Sequence, residues 1–209
     1  MIIAVEGPSA VGKTTWCRTY FPHVLVEAAP EKIHAPDLYD DPEEVAHFWV
    51  EFNCGLWHKA LQIDKRHGLA VCDTDPLHLY FSWSLWKVGA LDPQLFAAEV
   101  LLYRRALQQK RIGFADLVLW REAPIEELRM RAKLEGTRRR RRHKLYLSLL
   151  PWMRQWFDAR TRVLPDSVRP WPEVVAPQDF RNAATPSRRY DLGAFDALLS
   201  DLQAVGAAR

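Results

Sequence analysis

The feature that most constrains the fold is a glycine-rich stretch near the start of the chain. Residues 7–14 read Gly-Pro-Ser-Ala-Val-Gly-Lys-Thr and fit the pattern G-x-x-x-x-G-K-[ST] completely. The apolar run before it, residues 2–6, suits a buried parallel strand, and a helix should open at Lys13. In this strand–loop–helix context the backbone N–H groups wrap phosphates, so the sequence predicts an α/β fold that binds a nucleotide.

Chemical roles can be assigned to individual residues of this loop. Lys13 should reach the β- and γ-phosphates of ATP, and the Thr14 hydroxyl should bind Mg²⁺. Thr15 is expected to help hold the α-phosphate. The residues predicted to bind the nucleotide are Gly7, Ala10, Val11, Gly12, Lys13, Thr14 and Thr15.

Apolar runs that alternate with helical patterns predict the remaining elements. Strands are expected over residues 2–6, 23–27, 69–73, 116–120 and 173–176. Helices are expected from 13, from 42 to before 68, over 76–88 and 93–110, from 124, up to about 163, and over 191–205. This alternation predicts a three-layer α/β/α fold with a five-stranded parallel sheet. A chain of 209 residues suffices for one such domain, spanning 1–209.

Acidic residues follow two predicted strands at the edge where parallel sheets bind ligands. Glu27 ends the second strand, Asp73 ends the third, and Asp75 follows two residues later. Phosphoryl transfer needs one acid to orient the acceptor hydroxyl and another near Mg²⁺. We predict that Asp73 lies near the metal with Thr14, and that either Glu27 or Asp73 is the base. The alternative for Asp73 is a turn or helix-capping residue.

Five consecutive arginines at 138–142 carry much of the positive charge. If the segment is helical, Arg138 and Arg142 share a face, and we predict that these two act on the transferring phosphoryl group. Arg129 and Arg131 are further candidates, and at least two of the five should only form a solvated face. A net charge of +3 and the lack of an aromatic-studded basic groove argue against a nucleic-acid partner.

Aromatic residues concentrate in two segments on either side of the strand that ends at Asp73. Flat apolar walls suit a base, another heteroaromatic ring or a hydrophobic natural product. The residues predicted to contact the acceptor are Asp75, Trp57, Tyr80 and Trp83. Core packing is the alternative for these aromatic residues and for Trp86.

The sequence resembles the nucleoside kinase group of P-loop proteins in three short segments, residues 6–14, 26–27 and 71–75. Asp-Thr-Asp at 73–75 most resembles the ribosylnicotinamide kinase domain. The acid that ends the second strand resembles the deoxynucleoside kinases, where it serves as the catalytic base. In those kinases an acid–arginine pair commonly follows the third strand, and here Thr74 takes the place of the arginine.

The resemblance implies a five-stranded parallel core, ATP with Mg²⁺, and a substrate above strands two and three. The stretch from Trp120 to the arginines is similar to the LID region of such kinases, which we expect at about 136–144. Related kinases are often dimers, so the resemblance also implies a homodimer, although the residues themselves leave the assembly open.

These features predict a kinase that moves the γ-phosphoryl group of ATP to a hydroxyl of a nucleoside-like small molecule. An antibiotic or secondary-metabolite phosphotransferase with the same machinery is the first alternative. A non-catalytic nucleotide-binding switch and an RNA-end kinase are the others. The chain has no long pure apolar stretch, and its start lacks a secretory signal. We therefore expect a cytoplasmic protein without a membrane partner.

Overall fold

The structure is a computed structural model, and it describes residues 1–26, 34–37, 40–134, 143–172, 180 and 186–207. The strands are β1 (Ile2–Glu6), β2 (Val24–Val26), β3 (Ala70–Asp73), β4 (Leu117–Trp120) and β5 (Val168–Pro170). The helices are α1 (Lys13–Tyr20), α2 (Pro42–His67), α3 (Leu79–Lys87), α4 (Pro93–Gln108), α5 (Ile125–Leu134), α6 (His143–Ser148), α7 (Leu150–Val163) and α8 (Leu192–Ala207).

All five strands pair in parallel, in the order β2-β3-β1-β4-β5, and helices cover both faces of the sheet. The predicted three-layer fold with a five-stranded parallel sheet is therefore confirmed. The central strand β1 pairs with β3 on one side and with β4 on the other. The loop that follows β1 consequently begins at the middle of the carboxyl edge of the sheet.

Side chains of β1 alternate between two separate hydrophobic cores. Ile3 and Val5 face α1 and pack in one cluster with Cys17. Ile2 and Ala4 face the opposite way, into a larger cluster to which α2, α3, α4, α7 and α8 contribute. Because both faces are covered, β1 is fully buried, which explains its continuous apolar sequence.

Helix α2 has clear start and stop signals. The Asp41 side chain accepts hydrogen bonds from the N–H groups of Glu43 and Glu44, and Pro42 occupies the first turn. The helix ends at Gly68, whose φ of +77° favours glycine. None of the helices in the described part of the chain combines the length and apolar character needed to cross a membrane.

The last strand differs from the prediction. The strand that pairs with β4 is Val168–Pro170, whereas the predicted segment 173–176 lies outside the described residues. The residue just before this strand already bonds to β4, since the Ser167 carbonyl accepts from the Val118 N–H at 2.8 Å. Pro151 lies in the first turn of α7, just after α6 ends, where a proline is tolerated.

Candidate active site

The glycine-rich loop at residues 7–14 curls tightly at the end of β1. Gly7 has a φ of +154°, and a Cβ atom there would lie 2.7 Å from the carbonyl oxygen of Arg121. Gly12 and Ala10 have φ angles of +98° and +75°, and the Val11 N–H donates to the Pro8 carbonyl at 3.2 Å. Glycine is thus required where the loop approaches β4 most closely.

The N-terminus of α1 points its backbone N–H groups into this loop. The N-cap residue is Gly12, which has no side chain to cap the helix, so the first N–H groups can bind an anionic ligand. The Lys13 ammonium folds over the loop and donates to the Gly7 carbonyl at 3.0 Å. The helix dipole and the lysine charge together make the loop electropositive.

Thr14 and Asp73, the two residues that the sequence predicts near Mg²⁺, lie in contact beside the loop. The Thr14 hydroxyl donates to Asp73 Oδ2 at 2.5 Å, and Asp73 is buried at the end of β3. Both provide oxygen atoms, the ligand type that Mg²⁺ prefers. No cluster of three or more His, Cys, Asp or Glu side chains suited to a metal occurs among the described residues. A metal at this pair would take its other ligands from phosphate and water.

Glu6 is a site residue that the sequence reasoning missed. Its carboxylate is fully buried and accepts hydrogen bonds from the Asp75 N–H at 2.6 Å and from the Tyr80 hydroxyl at 2.9 Å. Burial raises the pKa of Glu6 to about 7, although the Lys13 charge opposes the shift. The only available signal was an acid that closes an otherwise apolar strand directly before the loop.

Asp75 lies near the loop but its carboxylate is already occupied. Oδ2 forms an ion pair with Arg160 Nη1 at 2.7 Å, and Oδ1 accepts from the Leu77 N–H at 3.1 Å. Arg160 also donates to the Ala115 carbonyl at 2.8 Å, and both side chains are buried. The ion pair connects the segment just after β3 with α7, and the acceptor contact predicted for Asp75 stays a prediction.

The predicted acceptor-binding aromatics fall into different environments. Trp57 is fully buried, and its indole N–H reaches the Tyr190 hydroxyl at 3.4 Å, so it belongs to the core rather than to a pocket wall. Trp83 is also buried, with the Trp156 ring 6.4 Å away. Tyr80 alone among the three touches the site, through its hydrogen bond to Glu6.

One arginine of α5 reaches the loop. Arg131 Nη1 donates to the Val11 carbonyl at 2.8 Å, and Arg131 pairs with Glu127 at 2.5 Å. Arg129, the other candidate on this helix, is exposed. Glu27, Arg138 and Arg142 lie outside the described residues. The structure thus brings together Gly7, Lys13, Thr14, Asp73 and Arg131.

Comparisons with known proteins agree with this geometry. No family model and no curated protein sequence matches the chain. Solved structures do match. Deoxyadenosine kinase from M. mycoides with bound dATP has a TM-score of 0.57 at 14% identity, covering 87% of this chain and 96% of that one. The chain has a deoxynucleoside kinase-like fold.

Two further structures of the same M. mycoides enzyme extend the match over nearly the whole chain. The structure with the products dCMP and a flexible dCDP has a TM-score of 0.57 at 13% identity. The structure with bound dCTP has a TM-score of 0.53 at 12% identity. Each covers 98% of this chain and 100% of the matched one. The predicted resemblance to P-loop nucleoside kinases is therefore confirmed for the fold.

Proposed function

We propose that the protein is an ATP-dependent kinase that transfers the γ-phosphoryl group to a hydroxyl of a nucleoside-like small molecule. The observation that carries this proposal is the loop at 7–14, where the Lys13 ammonium and the uncapped start of α1 face the same space. Such a cradle suits the triphosphate of ATP. The paired oxygens of Thr14 and Asp73 beside it support a role in phosphoryl transfer rather than simple anion binding.

The residues around the loop have distinct roles in this proposal. Lys13 and the N–H groups of α1 bind and orient the phosphates, and developing negative charge is stabilised by groups that are already in position. Thr14 and Asp73 would hold Mg²⁺, which supplies charge neutralisation on the phosphates. Asp73 or Glu27 orients the acceptor hydroxyl, as predicted from their positions after β3 and β2.

Arginines complete the proposed site. Arg131 already contacts the loop carbonyl of Val11, so its guanidinium lies at the edge of the phosphate cradle. We keep Arg138 and Arg142 as residues that act on the γ-phosphoryl group from a LID at about 136–144. Guanidinium groups suit this task because their fork geometry matches phosphate oxygens. The LID would also exclude water and so limit wasteful hydrolysis of ATP.

The acceptor class is inferred from the fold and from the aromatic surroundings of the site. The matched structures are described as deoxyadenosine kinase with dATP, dCTP or dCMP bound. In this chain the rings of His78 and Phe81 stack at 5.1 Å next to Tyr80, in the first turns of α3. A flat heteroaromatic acceptor fits such surroundings. We further propose one domain over 1–209, a cytoplasmic protein and a homodimer.

Formation of ADP in the presence of Mg²⁺ tests the proposal. Purified protein is incubated with ATP and a panel of nucleosides, and a second panel contains hydroxylated antibiotics and other natural products. Turnover with at least one nucleoside is expected. Turnover only with the second panel would favour the antibiotic phosphotransferase, and tight ATP binding without any acceptor-dependent turnover would favour a nucleotide-binding switch.

A further inference from the structure

The turn that follows β3 directs its two acids to opposite faces of the sheet. In an extended strand, side chains two positions apart lie on the same face. The Asp73 carboxylate contacts Thr14 of α1, and α1 packs on one face of the sheet. Asp75 instead pairs with Arg160 of α7, which contributes to the core on the opposite face. The residue between the two acids, Thr74, has a φ of +152° and so breaks the extended conformation.

This turn needs support from its surroundings. A β-branched residue rarely adopts the φ angle of Thr74, and such a conformation persists only where neighbouring contacts hold it. Asp75 provides the points of attachment. Its Oδ1 accepts from the Leu77 N–H at 3.1 Å, and its Oδ2 forms the ion pair with Arg160 at 2.7 Å. The place of Asp73 therefore depends on how Asp75 is held.

Glu6 connects this turn with the phosphate loop. Because side chains alternate along β1, the Glu6 side chain lies on the face that α7 covers, and it is fully buried there. Its Oε1 accepts from the Asp75 N–H at 2.6 Å, and its Oε2 accepts from the Tyr80 hydroxyl at 2.9 Å. Glu6 is also the last residue before the loop at 7–14. One residue thus begins the loop and holds the turn that carries Asp73.

The proposed site depends on this connection for its geometry. Asp73 Oδ2 accepts from the Thr14 hydroxyl at 2.5 Å, so the acid has to lie at a fixed place beside the loop. A displacement of about 1 Å at a reacting site can lower the rate about a hundredfold. Hydrogen bonds are directional, and the bond from the Asp75 N–H to Glu6 therefore fixes the turn more closely than apolar packing would.

We propose that Glu6 is a positioning residue, which holds the Asp73 carboxylate beside Thr14 by accepting a hydrogen bond from the Asp75 N–H. In this role Glu6 acts through the turn after β3 and does not bind ATP or the acceptor itself. It has to provide an acceptor atom at a set distance from the backbone of β1, and the charge is secondary. This inference rests on the proposed kinase function and adds a residue to it.

Three substitutions separate the reach of the side chain from its charge. Glu6→Gln keeps the length, and its amide can accept from the Asp75 N–H and donate to the Tyr80 hydroxyl, so kcat should fall at most about threefold. Glu6→Asp keeps the charge but is one methylene shorter, so it loses the bond to Asp75, and kcat should fall about a hundredfold. Glu6→Met keeps the length without any acceptor and should show a similar loss.

The matched control is a second buried acid. Glu99 is 3% exposed, but it lies on α4 and bonds Ser82 rather than the turn after β3. Glu99→Met should keep the kcat and KM of the wild type. Melting temperatures are measured for every variant, so that a loss is counted only in a folded protein. Glu6→Asp provides the second test if Glu6→Met folds poorly.

The response to Mg²⁺ distinguishes positioning from general support of the fold. The affinity for ATP is measured by calorimetry without an acceptor, once with Mg²⁺ and once with EDTA. We expect Mg²⁺ to tighten binding to the wild type by about tenfold or more. Asp73→Asn, Glu6→Asp and Glu6→Met should lose most of this gain, whereas Glu6→Gln and Glu99→Met should keep it.

Kinetics then test whether Glu6 acts through Asp73. The losses in Glu6→Asp and Glu6→Met should fall on kcat rather than on the KM for ATP. The double variant with Glu6→Met and Asp73→Asn should be no slower than Asp73→Asn alone, because both changes act on the same carboxylate. Losses that multiply in the double variant would overturn the proposal.

The remaining outcomes separate the role of Glu6 from the kinase function. A loss in Glu6→Gln as large as that in Glu6→Asp would assign the effect to charge and overturn the positioning role, and the kinase function would stand. If the wild type phosphorylates no acceptor, the kinase function fails, and the ATP affinities decide the role of Glu6 by themselves. A gain from Mg²⁺ that Glu6→Met retains, or a wild type without any gain, would then overturn it.

Discussion

At the scale of single residues, the end of β3 directs two acids that are only two positions apart in the sequence to different partners. Asp73 turns to Thr14 and the phosphate loop, whereas Asp75 turns to Arg160. Thr74 between them has a φ of +152°, an uncommon conformation for a β-branched residue. One acid of the pair therefore lies at the proposed site, and the other forms a buried ion pair with α7.

Arg131 gives a residue-scale prediction with a matched control on the same helix. Arg131→Ala removes the hydrogen bond to the Val11 carbonyl and a positive charge beside the loop. One charge-assisted hydrogen bond is worth about 1.5–3 kcal/mol, so we expect the KM for ATP to rise about tenfold or more. Arg129→Ala is the control, since Arg129 is exposed, and steady-state kinetics compare the two. Equal effects of both variants would show that the contact with the loop does not matter.

Glu99 gives a prediction about stability and pH. Burial raises its pKa to about 7 in the folded protein, whereas the pKa is near the ordinary 4.5 in the unfolded chain. Between these values the unfolded chain has released the proton and the folded protein has kept it, so the free energy of unfolding falls as pH rises from about 4.5 to 7. The Glu99→Gln variant has no titrating group at this position, so its free energy of unfolding does not fall in this way.

We therefore expect the advantage of Glu99→Gln over the wild type to grow by about 2–3 kcal/mol between pH 4.5 and pH 8. Urea denaturation at several pH values measures it. Glu6 also has a raised pKa, but it is present in both proteins and cancels in the difference. A difference in unfolding free energy that does not vary with pH would contradict the account.

Single residues also show how far the sequence could predict the site. The loop at 7–14 and the partnership of Thr14 with Asp73 follow from a local pattern and from the rule that ligands lie at the carboxyl edge of the sheet. The Arg160 partner of Asp75 is 85 positions away in the chain. No local pattern reveals such a contact, which is why Asp75 is predicted as a binding residue.

At the scale of elements, two glycines give a paired prediction with opposite signs. Gly113 precedes β4, and a Cβ atom there would lie 2.6 Å from the Arg189 carbonyl oxygen and 2.7 Å from the Trp57 ring. Gly113→Ala should lower the free energy of unfolding by about 1–3 kcal/mol, because the tightly packed core cannot move aside. Chemical denaturation measures the change.

Gly55 is the counterpart within a helix. It lies in the exposed part of α2, and an added Cβ atom would meet nothing within 4 Å. Gly55→Ala should raise the free energy of unfolding by about 0.5–1 kcal/mol, because alanine restricts the unfolded chain and favours the helix. The same denaturation series includes both variants. If Gly55→Ala and Gly113→Ala lowered the free energy of unfolding equally, the close packing of Gly113 against Trp57 would not explain the effect of Gly113→Ala.

The elements were predictable where burial imposes a regular pattern. Strands β1, β3 and β4 are buried apolar runs, and α2 begins and ends with unambiguous signals. Strand β5 has only three residues and includes a proline, and two of the three are exposed. It joins the edge of the sheet through backbone hydrogen bonds with β4, so its own side chains indicate little about its position.

At the scale of the whole molecule, the strand order positions the site. From β1 the chain crosses to β2 at one edge of the sheet, and from β3 it crosses to β4 in the opposite direction. The two connections therefore diverge between β1 and β3, which are adjacent strands. Such a switch point is where open α/β sheets bind ligands. Glu6 and Asp73 end the two strands that flank it. The proposed phosphate site thus follows from the topology as well as from the loop sequence.

The most direct test of the account is the dependence of ATP turnover on Lys13. With Mg²⁺ and an accepted acceptor, Lys13→Ala should reduce kcat/KM by at least about a thousandfold, because a preorganised charge on the transferring phosphoryl group is lost. Lys133→Ala, at an exposed position of α5, should retain wild-type turnover, and both variants should keep the wild-type melting temperature. A folded Lys13→Ala variant that turns over ATP at the wild-type rate would contradict the claim that the loop at 7–14 is the site of phosphoryl transfer.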